Sequence, residues 1–81
     1  MPIKKEDLIE IFIPLLDEGT DVFRPTLGEK IGKDIYRILP TNNYDSEDEK
    51  WKYLPGTVVR CEIQEIEDKE LFVAVEQIEK L

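Results

Sequence analysis

The sequence predicts an all-β domain, a small five-stranded antiparallel barrel of the Src homology 3-like kind with one longer loop containing a helical turn. Three observations lead there. Apolar residues alternate at period two in several short segments, as in Ile9, Ile11, Ile13 and Leu15. Between those segments lie short groups rich in Gly, Pro, Asn and Asp, the residues of tight turns. The chain is 81 residues long, enough for a single small β-barrel domain covering 1–81, and no linker or internal repeat divides it. A five-stranded oligonucleotide-binding-type barrel is the second choice. Such barrels carry a helix between their third and fourth strands, and Pro40 to Pro55 is a tight place for one.

The first strand is the row Ile9, Ile11, Ile13 and Leu15, with Pro14 placing that part at an edge or bulge because proline has no N–H to give a ladder. Asp17-Glu18-Gly19-Thr20-Asp21 is a polar turn. Val22 to Leu27 resumes extended structure, Gly28 to Lys33 is the next reversal, and Asp34 to Leu39 carries a third strand. Pro40 to Lys50 is the longest connection; its Ser46-Glu47-Asp48-Glu49 has the form of a capping box and predicts one helical turn. Pro55-Gly56 leads into Thr57 to Gln64, where Val59, Cys61 and Ile63 are expected inward and Arg60, Glu62 and Gln64 outward. Glu67 to Glu70 turns the chain into Leu71 to Val75, with Leu71 and Val73 inward and Phe72 outward, as Phe12 is on the first strand. The tail from Glu76 to Leu81 fits a strand or a helix equally.

Charge and composition exclude several functions. Eleven Lys and Arg against 19 Asp and Glu leave a net charge of −8, with no histidine and one cysteine. A disulfide framework, a Cys/His zinc site and any triad needing imidazole are ruled out. Direct binding to nucleic acid or an anionic membrane is disfavoured, since both are polyanions. The longest apolar run, Ile11 to Leu16, is six residues broken by Pro14, whereas a membrane helix needs about 20. No leader of signal-peptide length follows Lys4 and Lys5, and one unpaired cysteine suits a reducing compartment, so the expected location is the cytoplasm.

Pro14-Leu15-Leu16-Asp17-Glu18-Gly19-Thr20-Asp21-Val22-Phe23-Arg24-Pro25 forms one block. Tyr44-Asp45-Ser46-Glu47-Asp48-Glu49-Lys50-Trp51, followed by Pro55-Gly56-Thr57-Val58-Val59-Arg60-Cys61-Glu62, forms another. Together they resemble a family of short, uncharacterised bacterial proteins in which the two blocks lie in the same order. Relatives often have Trp at the position of Phe23 and Phe at that of Tyr53. The resemblance implies a bacterial cytoplasmic protein and brings no activity with it.

Most candidate chemistry dissolves on inspection. Asp45, Glu47 and Glu49 have the one-three-five spacing of a calcium loop, but Lys50 and Gly56 stand where that loop needs Gly and a bidentate Glu. Gly28 to Asp34 has a phosphate-loop look with one residue too few between its glycines, and Asp34 replaces the magnesium-binding hydroxyl. Cys61 has no histidine to activate it and is expected in the core. No metal or cofactor is therefore expected.

The aromatic set is the feature left over. Tyr44, Trp51 and Tyr53 border the long loop, and they either line a peptide groove or cap an open end of the barrel. The functional expectation is a non-enzymatic protein-interaction module that docks its partner through Tyr44, Trp51 and Tyr53 with Glu47 and Asp48. The charge favours a basic partner. The alternative is an acidic nucleic-acid mimic acting as an inhibitor or immunity protein. A third reading is a small ligand-binding protein or hydrolase. Self-association is a separate expectation, because the Pro-free stretch from Thr57 to Ile66 and the last strand leave a pairable edge.

Overall fold

The computed structural model describes residues 7–16, 22–39 and 50–78, and these form six strands with no helix. They are β1 (Leu8–Leu16), β2 (Phe23–Gly32), β3 (Ile35–Ile38), β4 (Lys50–Trp51), β5 (Val58–Ile66) and β6 (Lys69–Gln77). The sheet order is β2-β3-β5-β6-β1-β4, and β2 also pairs with β1, so five strands close into a ring with β4 attached outside it. No helix among the described residues is long and apolar enough to cross a membrane. The helical turn expected between Pro40 and Lys50 lies outside the described residues.

Period-two alternation builds the core. Ile11 and Ile13 of β1, Ile38 of β3, Val59 and Cys61 of β5 and Ala74 of β6 are buried together inside the ring. Burying a branched aliphatic side chain of this size contributes roughly 1.5–3 kcal/mol. The buried members of β1 and β5 were predictable from the spacing alone.

The expectation that every pair is antiparallel fails at one seam. β1–β2, β2–β3, β3–β5 and β5–β6 are antiparallel, but β6 meets β1 in parallel through the single bridge Phe12↔Val73. The cause is parity. When five strands alternate in direction around a ring, the first and last point the same way, so the closing pair is parallel.

Other departures have local reasons. β2 continues to Gly32 instead of reversing at Gly28. Gly28 is buried in the strand, where an added Cβ would lie 2.9 Å from Ile11 Cδ1 and 3.2 Å from Tyr36 Cβ. It serves close approach rather than turning. The actual reversal is at Lys33 and Asp34, with Asp34 at φ 61°. Of the tail, Glu76 and Gln77 continue the strand, since β6 runs to Gln77, which pairs with Val59, while residues 79–81 lie outside the described residues.

On β6 the inward phase is opposite to expectation. Ala74 faces Cys61 and Phe72 faces Ile63 across the β5–β6 ladder, so Phe72 joins the inner side and Leu71 and Val73 the outer. Val73 is nonetheless buried, on the outer face beside Phe12. Leu71 to Val75 is apolar at every position, so alternation there carries no phase.

Ile63, also expected inside, is 67% exposed. β3 pairs β5 only through Val58–Arg60, with one further bond from the Cys61 N–H to the Asp34 carbonyl. Past that point β5 has no β3 residue beside it among the described residues.

Candidate functional site

The inward rows leave the core at two ends, and the two are treated differently. At one end the row Ile11, Ile13, Leu15 meets β4, where Leu15 pairs with Trp51. The Lys52 N–H donates to the Pro14 carbonyl at 2.9 Å, and the Gly56 N–H to the Ile38 carbonyl at 2.6 Å. Gly56 takes φ 92°, which suits glycine and lets the chain turn toward Val58. Residues 51–57 are thereby stitched from β1 across to β3. Trp51 is 3% exposed and Tyr53 is 6% exposed, both inside the core cluster. The Lys52 ammonium sits 5.7 Å from the centroid of the Tyr53 ring, within cation–π range.

Two of the five residues expected to dock a partner fall here. Trp51 and Tyr53 are buried in the core cluster at one end of the ring. Tyr44, Glu47 and Asp48 lie outside the described residues.

The other end is open among the described residues. Ile9 continues the row of Ile11 and Ile13 yet is 41% exposed, and Ile63 continues the row of Val59 and Cys61. With Tyr36, Leu71, Phe72 and Glu70 they line a shallow groove of about 300 Å³. The Tyr36 and Phe72 rings meet edge to face at 5.3 Å and 87° and form its floor. Tyr36 is buried below that contact. Its phenol is raised above the ordinary tyrosine value, first by desolvation and then by the charges of Cys61 and Asp34. A second groove of about 280 Å³ lies on the outer face of the β5–β6 hairpin, between Leu71 and Ile66 on one side and Phe12 and Phe23 on the other.

The rim of the first groove is acidic. Glu65 and Glu70 stand directly opposite each other across the β5–β6 ladder. They are on the same face as Ile63 and Phe72, and both are exposed. Like charges directly opposite in an antiparallel pair are unfavourable. Arg60 does not relieve them. It lies on the other face, donating to Glu76 at 3.0 Å and Glu62 at 3.3 Å. Arg60 thus bridges Glu62 and Glu76.

Cys61 is buried, as expected from its register. Burial first, and the Asp34 carboxylate second, push its thiol up to about 12 against a smaller opposing effect of Arg60. At neutral pH it is a packed thiol with no thiolate character. Among the described residues no group of three His, Cys, Asp or Glu is placed to hold a metal ion.

Ile9, Ile63, Glu65 and Glu70 are the residues that sequence reasoning missed. The signal available was the like-charge pair flanking the Ile66–Lys69 turn, but its register becomes visible only once the hairpin is known. No family model, curated protein or solved structure matches this chain.

Proposed function

We propose that this chain is a non-enzymatic interaction module that docks a basic protein partner at the open end of the ring. One observation carries the reading: Ile9 and Ile63 extend the two best-packed rows of the core into solvent and flank the Tyr36–Phe72 floor of a groove. Apolar side chains brought together in this way are what an interface core uses. The carboxylates of Glu65 and Glu70 at the rim supply the charge complementarity toward a cationic partner. The groove replaces the Tyr44–Trp51–Tyr53 surface as the docking site.

We read the ring as a small barrel of the Src homology 3-like kind, on the support of five strands closing on one core with a plug at one end. A bacterial cytoplasmic setting is part of the same proposal. It is supported by the two sequence blocks and by the single buried thiol.

A nucleic-acid mimic is the second reading. It is favoured by Glu62, Glu65, Glu67, Asp68 and Glu70 crowding one hairpin, with Lys69 the sole cation between 62 and 70. Salt separates the two, because a mimic loses affinity steeply with ionic strength while an apolar groove loses little.

The test is selection of displayed twelve-residue peptides on the wild-type protein, with counter-selection on Ile63→Ser. Peptides retained by the wild type and lost by the variant support the module. If no peptide distinguishes the two proteins, the reading fails.

A further inference from the structure

Among the described residues, the groove lies beside a length of strand with one unpaired side. Beyond Cys61, β5 pairs only with β6 among the described residues, through Glu62↔Val73, Ile63↔Phe72, Gln64↔Leu71, Glu65↔Glu70 and Ile66↔Lys69. The Cys61 N–H points away from β6, donating to the Asp34 carbonyl at 2.8 Å. Backbone groups in a strand alternate sides, so the N–H and C=O of Ile63 and Glu65 point the same way. There they continue the line on which β3 has just ended.

We propose that this edge takes an extended basic peptide as an added strand, filling the position that β3 vacates at Asp34. The proposal rests on the interaction-module reading and names its partner and binding mode. Three features converge. The Ile63 and Glu65 backbone groups supply the ladder bonds that give strand addition its affinity. Alternate side chains of the added strand fall on the inner face, where Ile63, Phe72 and Ile9 offer apolar contact.

The third feature selects the sign of the partner. Of the hairpin residues on the groove face, Cys61, Ile63, Glu65, Glu70, Phe72 and Ala74, the two charged ones are carboxylates facing each other. A Lys or Arg of the peptide placed beside Glu65 removes a repulsion as well as making an ion pair. A second copy of this chain brings Glu62 and Glu65 to the same edge with no cation between 61 and 68, on a molecule of net charge −8. The occupant is accordingly a peptide alternating Lys or Arg with β-branched apolar residues.

The experiment uses the full chain and a fluorescein-labelled decapeptide alternating Lys and Val, with a Glu–Val decapeptide and oligolysine as controls, followed by fluorescence anisotropy. The Lys–Val peptide should bind, and both controls should bind at least about tenfold more weakly. Ile63→Pro removes an edge N–H that β6 does not use, and it should weaken binding by at least about tenfold. Glu70→Lys converts the repulsive pair into an attractive one. It should fold at least as well as wild type by urea titration and still lose at least about tenfold in affinity, so lost binding is not lost folding.

Equal binding by wild type and both variants overturns the edge mode. If displayed peptides selected at Ile63 lack basic residues, the basic-partner inference falls while the module reading stands. If selection yields nothing and the Lys–Val peptide also fails, both fall. A concentration-dependent dimer abolished by Ile63→Pro gives the edge to a second copy and overturns the proposal.

Discussion

Replacing Trp51 by alanine tests whether the aromatic set closes the ring or decorates its surface. The side chain is 3% exposed and lies in the core cluster against the row ending at Leu15. A buried Trp removes up to about 250 Å² from water, which at about 25 cal/mol/Å² is roughly 6 kcal/mol. That is an upper bound, because the unfolded chain is never fully extended, and Trp→Ala substitutions in cores cost about 3–5 kcal/mol. A chain of 81 residues has about 4–12 kcal/mol in all. The substitution therefore removes a large fraction of the stability, and with a urea slope near 1 kcal/mol/M the midpoint should fall by about 3 M or more.

Far-ultraviolet circular dichroism is the right probe, because Trp51 is the sole tryptophan and its loss abolishes the fluorescence signal. In the wild type the same residue should emit at short wavelength and resist quenching by acrylamide. Trp51→Phe, which keeps a ring in the plug, should recover much of the loss. An Ala variant with an unchanged midpoint, or a wild-type emission like that of tryptophan in water, would refute the burial on which the reasoning rests.

Three further outcomes are expected. Gly28→Ala forces a methyl to 2.9 Å from Ile11 Cδ1 and should cost about 1–3 kcal/mol in urea titration; Ile11→Val removes that atom, so the double variant should be more stable than the two single losses added together. Glu67 and Asp68 form the two-residue hairpin turn with φ 51° and 67°, a conformation favoured by Asn-Gly, so the pair replaced by Asn-Gly should gain about 1 kcal/mol and a higher Tm by calorimetry. For Cys61, the folded thiol keeps its proton above pH 9.0 while the unfolded one loses it, so stability is full below that pH and falls as pH rises toward about 12. The slope due to this group should approach about 1.4 kcal/mol per pH unit and vanish in Cys61→Ala, measured by urea midpoints at about pH 8 and about pH 10.5; Tyr36, raised mainly by desolvation and in part by Cys61, leaves a smaller slope in the variant.

Legibility followed the strength of the pattern. The rows of β1 and β5 alternate cleanly, and their buried members, Ile11, Ile13, Val59 and Cys61, were visible in the spacing. Gly28 was misread because glycine marks both a turn and a close approach, and only the position of Ile11 distinguishes them. β6 was misphased because five consecutive apolar residues fit either face. Trp51 and Tyr53 carried an ambiguity of another kind. The same rings suit a plug or a groove, and the bonds from Lys52 to Pro14 and from Gly56 to Ile38 are what hold this segment against the end of the core. Both involve residues far apart in sequence.

By itself the sequence determined the all-β class, the buried members of the β1 and β5 rows, the acidity of the chain and the absence of imidazole chemistry. These follow from residue type and period two, which are local properties. Tertiary structure decided where each row stops being core. Ile63 follows Cys61 in the same row and differs from it only in that β3 has ended alongside. Ile9 precedes Ile11 in the same way. Exposure at the end of a row is set by the length of the neighbouring strands, and no local pattern encodes that length.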